Sequence, residues 1–152
     1  GSHVAVATRC LERITRFAPH CGKKVNTVVM SHNLKEDFTA FLAKHRVDRW
    51  KVFKVLRIEG ENENAYDALK ITDEEFRSFL HRHKGAPIVA EENDAMTSSY
   101  LMIDPDGRVY QNKEGTYNRG EAVHDVGLAA SVRAAGGFDA SKFEERGGAY
   151  AL

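Results

Sequence analysis

Residues 49–63 decide the fold, and they read Arg-Trp-Lys-Val-Phe-Lys-Val-Leu-Arg-Ile-Glu-Gly-Glu-Asn-Glu. The part from Trp50 to Ile58 predicts a β-strand that carries several cationic side chains. This strand runs into an acidic loop that contains Gly60. A cationic strand that ends in such a loop is suited to holding a phosphorylated ligand, because ammonium and guanidinium groups form charged hydrogen bonds with phosphate oxygens.

The flanking segments predict an alternation of helices and strands. Apolar residues at helical spacing predict a helix over residues 4–17, and a β-branched run predicts a strand over residues 24–30. Further helices are predicted over residues 37–44, 73–83, 123–135 and 140–145, further strands over 87–90, 100–103 and 108–110, and a polar loop over 60–71. This order is typical of an α/β fold with parallel βα units, followed by a hairpin.

The composition limits the classes of protein that need to be considered. A chain of 152 residues with 42% hydrophobic residues is expected to form a single domain, residues 1–152, with a real core. The 22 basic and 22 acidic residues cancel, which disfavours nucleic acid as a partner. No apolar run approaches the roughly 20 residues that cross a bilayer, and no signal-peptide pattern is seen, so a cytoplasmic location is expected.

Cysteine and histidine spacing does not favour a metal site. Cys10 and Cys21 are too few for a disulfide framework or a four-cysteine site. The seven histidines form no H-x-x-x-H pair. We therefore expect no metal ligands in this chain.

Side chains alternate across a strand, so Lys24 and Asn26 share one face of the first predicted strand. Lys51 opens the next parallel strand. Two lysines and an amide at neighbouring strand starts are able to converge on one cavity, where they would suit a polyphosphate. The alternative is that these lysines only extend along the strand ends into solvent.

Three further residues allow both a functional and a plain interpretation. Gly60 lets the backbone approach a flat ligand, or it forms an ordinary turn. Tyr100 is able to donate a proton or to be oxidised, or it packs with its hydroxyl hydrogen-bonded. Arg146, next to two glycines, is able to fold over an anion, or it belongs to a frayed terminus.

Seven sequence blocks carry a resemblance to a known family. They are Lys24-Val25-Asn26-Thr27-Val28-Val29, Arg49-Trp50-Lys51-Val52-Phe53, Ile58-Glu59-Gly60-Glu61-Asn62, Asp73-Glu74-Glu75-Phe76, Ser99-Tyr100-Leu101, Asp125-Val126-Gly127 and Arg146-Gly147-Gly148. In this order and spacing, from about His3 to Tyr150, the chain resembles the viperin family of radical-SAM nucleotide dehydratases.

The resemblance implies a fold, two cofactors and a reaction. Viperins are partial (βα)6 barrels that hold a [4Fe-4S] cluster and S-adenosylmethionine. This chain is then expected to be the C-terminal, nucleotide-binding portion of such a barrel, with parallel strands plus a C-terminal hairpin and helices. In the family, a 5′-deoxyadenosyl radical takes the 4′ hydrogen of CTP. Loss of water then gives 3′-deoxy-3′,4′-didehydro-CTP, a chain terminator used in antiviral defence.

The resemblance also implies roles for single residues. Tyr100 matches the residue proposed to pass a hydrogen atom, or an electron and a proton, to the late nucleotide radical. The triphosphate contacts of the family correspond to Lys24, Asn26, Lys51 and Arg146. The loop whose backbone contacts the adenine of S-adenosylmethionine, G-x-I-x-G-x-x-E, corresponds to Ile58, Gly60 and Glu63, with Leu56 in place of the first glycine.

The chain departs from the family pattern in ways that bear on activity. It contains no C-x-x-x-C-x-x-C motif, so its cysteines do not hold the cluster. Ala149 replaces a common lysine, and Lys113 or Arg119 is the candidate substitute for another. The choice between CTP and UTP stays open.

The leading hypothesis is a C-terminal fragment, or a truncated relative, of a viperin-like enzyme, inactive by itself. Its expected partners are a nucleoside triphosphate and the missing N-terminal half of the barrel. The rival hypothesis is a non-catalytic module that binds a nucleotide or another protein. A plain structural α/β domain is the third.

Overall fold

The computed structural model describes residues 3–91, 97–113 and 115–149, which form two compact units. The first unit takes in the described residues up to Phe53 together with Ile71–Ala90; the second takes in Lys54–Lys70 and the described residues from Glu91 onward. In chain order the elements are α1 (His3–Phe17), β1 (Lys24–Val29), α2 (Thr39–His45), β2 (Arg49–Lys54), α3 (Glu63–Leu69), α4 (Asp73–Arg82), β3 (Ile88–Glu91), β4 (Met102–Ile103), β5 (Arg108–Lys113), β6 (Thr116–Ala122), α5 (Val123–Val126), α6 (Leu128–Ala134) and α7 (Ala140–Glu145).

The first unit is built on a parallel three-stranded sheet in the order β1-β2-β3. Helices connect the successive strands, as parallel pairing requires. The central strand β2 is the most buried, with Trp50 and Val52 fully enclosed. The buried apolar side chains of this unit are Leu11, Val29, Leu42, Val47, Trp50, Val52, Ile71, Phe76 and Phe79. The prediction of an α/β fold with parallel strands is confirmed.

An aromatic cluster anchors α4 in this core. The ring of His83 lies 4.5 Å from that of Phe79 and 5.1 Å from that of Trp50, centroid to centroid. His83 is buried, and its Nε2 accepts a hydrogen bond of 3.1 Å from the backbone N–H of Phe38. The proton therefore sits on Nδ1, which lies 2.9 Å from the carbonyl oxygen of Phe79. The neutral imidazole ties the end of α4 to the start of α2.

The second unit contains an antiparallel sheet in the order β4-β5-β6. Ser131 of α6 fastens the helix to the hairpin, because its hydroxyl accepts from the N–H of Val109 at 3.2 Å and donates to the carbonyl of Glu121. Gly120 allows this approach, since a Cβ there would overlap the backbone of Ser131. The prediction of a hairpin near the end of the chain is confirmed.

Several predicted elements were wrong in extent, and the strand predicted over residues 100–103 is only Met102–Ile103. Residues 60–71 are not all loop, because Glu63–Leu69 form α3. The strand predicted to reach Ile58 ends at Lys54, since the side chain of Asn62 takes up the backbone groups of Leu56 and Ile58. The helix predicted over residues 123–135 is two helices, because Gly127 adopts φ +79° between them.

Strand β6 was not predicted. Its sequence, Thr-Tyr-Asn-Arg-Gly-Glu-Ala, has a weak apolar alternation and a central glycine. The strand is held instead by its long pairing with β5 and by α6.

The prediction that residues 1–152 form a single domain stays a prediction.

The capping box at the start of α4 gives a first testable prediction. The hydroxyl of Thr72 accepts from the N–H of Glu75 at 3.1 Å, and the Glu75 carboxylate accepts from the N–H of Thr72 at 2.8 Å. Thr72→Ala is expected to lower the free energy of unfolding by about 1 kcal/mol, because the N–H of Glu75 at the helix start loses its acceptor. Urea unfolding measures this, with Thr72→Ser as the variant that keeps the cap. Equal midpoints for the alanine and serine variants would contradict the prediction.

Candidate functional site

The strand starts of the first unit present two lysines and an amide on one face of the sheet. The indole N–H of Trp50 donates a hydrogen bond of 2.8 Å to the hydroxyl of Thr27 on the neighbouring strand. These two side chains therefore lie on the same face, and alternation along each strand places Lys24, Asn26 and Lys51 on the opposite face. The sequence prediction that these three residues share a face agrees with this arrangement. Their contact with a phosphate stays a prediction.

The three polar residues differ in exposure. Lys24 and Asn26 are exposed, whereas Lys51 is only 2% exposed. A buried ammonium group is stable only when anionic or hydrogen-bonding groups surround it. This face of the sheet therefore combines a solvated cation with an enclosed one.

The segment after β2 is ordered by one amide. The Oδ1 of Asn62 accepts from the N–H of Ile58 at 2.8 Å, and its Nδ2 donates to the carbonyl of Leu56 at 2.8 Å. Gly60 adopts φ +78°, a conformation that other residues rarely take, and it turns the chain toward α3. Glu63 begins α3 and forms an ion pair of 2.9 Å with Arg57. Ile58, Gly60 and Glu63 therefore belong to one compact loop.

An open cleft of about 360 Å³ lies beside this loop, within the second unit. It is lined by Glu59, Gly60, Glu61, Thr116, Tyr117 and Arg119. The backbone N–H of Glu59 donates to the carbonyl of Gly115 at 2.9 Å, which holds the loop against the turn between β5 and β6. Sequence reasoning identified Gly60 and proposed Arg119 as a substitute cation, but it missed Tyr117.

Tyr117 has a perturbed ionisation. Burial raises the pKa of its phenol above the ordinary value of 10.0. The carboxylate of Glu61 raises this pKa further, because it repels the phenolate and accepts a hydrogen bond from the neutral phenol. The phenol thus stays protonated, and it forms part of the polar lining of the cleft.

A second polar cluster in this unit joins Tyr100 and Arg146. The phenol of Tyr100 donates a hydrogen bond of 2.6 Å to the carboxylate of Glu91, which is fully buried. The guanidinium carbon of Arg146 lies 3.7 Å from the centre of the Tyr100 ring, a cation–π geometry. Its Nη2 donates to the carbonyl of Ser99 at 2.6 Å, and its Nη1 lies 3.4 Å from the Glu91 carboxylate.

This cluster overturns the alternative that Arg146 belongs to a frayed terminus, and it adds Glu91 to the candidate site. Arg146 is 6% exposed and firmly held, so it is not part of a frayed terminus. Glu91 was missed by sequence reasoning; the only signal was an acidic residue at the end of an otherwise apolar strand, Ile-Val-Ala-Glu. The roles of Tyr100 and Arg146 toward a nucleotide stay predictions.

The residues present do not fit an iron–sulfur cluster. Within residues 3–91, 97–113 and 115–149, no three His, Cys, Asp or Glu side chains lie close enough together to hold a metal ion. Cys10 and Cys21 are both exposed and unbridged. A cluster of the cysteine-bound kind needs three thiolates, and the chain has two.

Comparison with known proteins assigns the chain to a family. A nucleotide dehydratase that depends on S-adenosylmethionine, from Lacinutrix mariniflava, is 45% identical over 130 residues, which are 85% of this chain. A protein of the same name from Flammeovirga pacifica is 38% identical over 84% of the chain. The Danio rerio protein named S-adenosylmethionine-dependent nucleotide dehydratase RSAD2 is 37% identical over 84%. By sequence, this chain is a relative of the S-adenosylmethionine-dependent nucleotide dehydratases.

The match covers only part of each relative. The aligned region is 27% of the Lacinutrix protein, 44% of the Flammeovirga protein and 37% of the Danio protein. The predicted resemblance to the viperin-like dehydratases is confirmed. No protein-family model matches the chain. Among the helices of the described ranges, none has both the length and the apolar character needed to cross a membrane.

The raised pKa of Tyr117 predicts an alkaline loss of stability. The unfolded chain releases this proton near pH 10, while the folded chain still holds it, so the free energy of unfolding falls as the pH rises above about 10. Tyr117→Phe removes the effect, so wild type is expected to lose more stability than this variant between pH 8 and about 11. Urea unfolding at both pH values measures the difference. Glu61→Gln should lie between the two; equal losses in wild type and Tyr117→Phe would contradict the assignment.

Proposed function

We propose that this chain binds the triphosphate of a pyrimidine nucleoside triphosphate, CTP or UTP, as the nucleotide half of a viperin-like dehydratase. The observation that carries the proposal is the shared sheet face of Lys24, Asn26 and Lys51, which follows from the Trp50–Thr27 hydrogen bond. Two ammonium groups and an amide on adjacent parallel strands provide several charged or polar hydrogen bonds to phosphate oxygens. Arg146 is the fourth proposed contact.

The wider activity follows the relatives. In this proposal the chain is the C-terminal portion of a partial radical-SAM barrel, and the reaction is dehydration of the nucleotide to its 3′-deoxy-3′,4′-didehydro analogue in antiviral defence in the cytoplasm. Such a reaction uses S-adenosylmethionine and a [4Fe-4S] cluster to generate a radical. The loop of Ile58, Gly60 and Glu63 is the proposed contact for the adenine of S-adenosylmethionine. Tyr100 is the proposed donor to the nucleotide radical.

This chain does not supply the cluster, so no chemical step is assigned to it alone. Its two cysteines are exposed, and they are too few to ligate three irons. The proposed partner for catalysis is the cluster-binding part of such an enzyme. The isolated chain is therefore expected to bind nucleotide without converting it.

Calorimetric titration of CTP and UTP into the purified chain tests the binding proposal. Lys24→Ala and Lys51→Met are each expected to weaken binding about tenfold or more, because each removes a charged hydrogen bond of about 1.5–3 kcal/mol. Methionine keeps the volume of the buried Lys51 stem, which limits the structural effect of the change.

The matched control is Lys44→Ala. Lys44 is exposed on α2, and its loss changes the net charge equally without touching the proposed face. Lys44→Ala should bind as wild type does. Full affinity in a Lys24→Ala, Lys51→Met double variant would remove the assignment of the phosphate contacts to these two lysines.

A further inference from the structure

We infer that Glu91 is a positioning residue that holds Arg146 and Tyr100 together, and that a nucleoside triphosphate has to compete with Glu91 for the guanidinium of Arg146. The nucleotide part of this inference rests on the proposed function. The pairing of Glu91 with Tyr100 and Arg146 does not, because it follows from the contacts within the second unit.

The first step is the burial of Glu91. Its side chain has no exposed surface. A carboxylate in that position is stable only with hydrogen-bond donors or a cation against its oxygens. Its contacts include one of each kind: the Tyr100 phenol at 2.6 Å on Oε2 and the Arg146 Nη1 at 3.4 Å on Oε1.

The second step is the unequal strength of these two contacts. A distance of 2.6 Å is typical of a strong hydrogen bond from a hydroxyl to a carboxylate, whereas charged N–H···O bonds are normally about 2.7–2.9 Å. The Arg146 contact at 3.4 Å is longer than that range. Glu91 therefore stays satisfied by Tyr100 when Arg146 changes its partner.

The third step is that the Arg146 guanidinium has hydrogen-bonding capacity left. Its Nη2 is bonded to the carbonyl of Ser99, and its Nε, which is also buried, has no hydrogen-bond partner among the described residues. A phosphate presents several charged oxygens and suits two parallel bonds from one guanidinium, which a single long contact to Glu91 does not provide. A triphosphate is thus a stronger partner for Arg146 than Glu91 is.

Neutralising Glu91 should therefore strengthen triphosphate binding. Glu91→Gln keeps the size of the side chain and keeps an oxygen that accepts from Tyr100, but it removes the charge that competes for Arg146. We expect CTP to bind about tenfold more tightly to this variant than to wild type, the size of a one-charge difference of about 1.4 kcal/mol. A purely structural role for Glu91 would leave the affinity unchanged or weaken it, so either of those results overturns the inference.

A double-mutant cycle identifies Arg146 as the intermediary. Arg146→Gln should weaken CTP binding, and Glu91→Gln should give no gain in that background, because the competing pair is then absent. Inorganic tripolyphosphate should show the same pattern, since it carries the phosphates without the nucleoside. Glu145→Gln is the matched control: it removes an exposed carboxylate next to Arg146 in sequence and should not change the affinity. A tenfold gain that persists without Arg146 would overturn the inference.

A spectroscopic readout separates this inference from the proposed function. In ¹³C-tyrosine-labelled protein, the Tyr100 resonance is the one lost in Tyr100→Phe. Glu91→Gln should shift this resonance whether or not a nucleotide binds. If wild type binds no CTP, the proposed function fails, and an unshifted Tyr100 resonance in Glu91→Gln would independently refute the pairing.

If Glu91→Gln does not fold, wild type alone still decides the competition. Release of Arg146 removes the cation from the face of the Tyr100 ring, so saturating tripolyphosphate should move the Tyr100 ring resonances. Binding that leaves those resonances in place would overturn the inference.

Discussion

The indole N–H of Trp50 needs a hydrogen-bond acceptor inside the core, and it donates to the Thr27 hydroxyl on the next strand. A buried donor without a partner would destabilise the fold by about 1–3 kcal/mol. This hydrogen bond fixes which face of β1 matches which face of β2. Because side chains alternate, the same bond that secures the core also places Lys24, Asn26 and Lys51 on the opposite face. The candidate phosphate surface is therefore a consequence of how the core is paired.

Much of this face was predictable because it depends only on local spacing. The β-branched run over β1 and the mixed cationic run over β2 each predict a strand. The alternation of side chains along these strands then predicts which residues share a face. The capping box of α4 is equally local, with Thr72 and Glu75 three residues apart. By contrast, α3 has only seven residues and none of them is buried, so its few apolar positions give a weak helical signal. Asn62, which precedes it, does not cap the helix with its side chain but uses that side chain to hold the segment from Leu56 to Ile58.

The Glu91 cluster was not predictable, because its members are distant in sequence. Tyr100 lies nine residues after Glu91, and Arg146 lies 55 residues after it. Neither spacing corresponds to a helix or strand period, so only the folded chain brings these groups together. The sequence marks Tyr100 and Arg146 as candidates and the family resemblance implies roles for them, but neither supplies their internal partners. It therefore missed the carboxylate that both of them contact.

The burial of Lys51 and Arg146 changes how affinity for an anion should be judged. In a chain with no net charge, long-range attraction contributes little, and local pairing decides the binding of a polyphosphate. An exposed lysine such as Lys24 gives up water to bind phosphate, and salt screens its contribution. An enclosed guanidinium such as that of Arg146 is already desolvated and gives up an internal partner instead. In the proposed binding mode, its net contribution to affinity is the difference between its interaction with phosphate and its interaction with Glu91, so the identity of the internal anion matters as much as the number of cations.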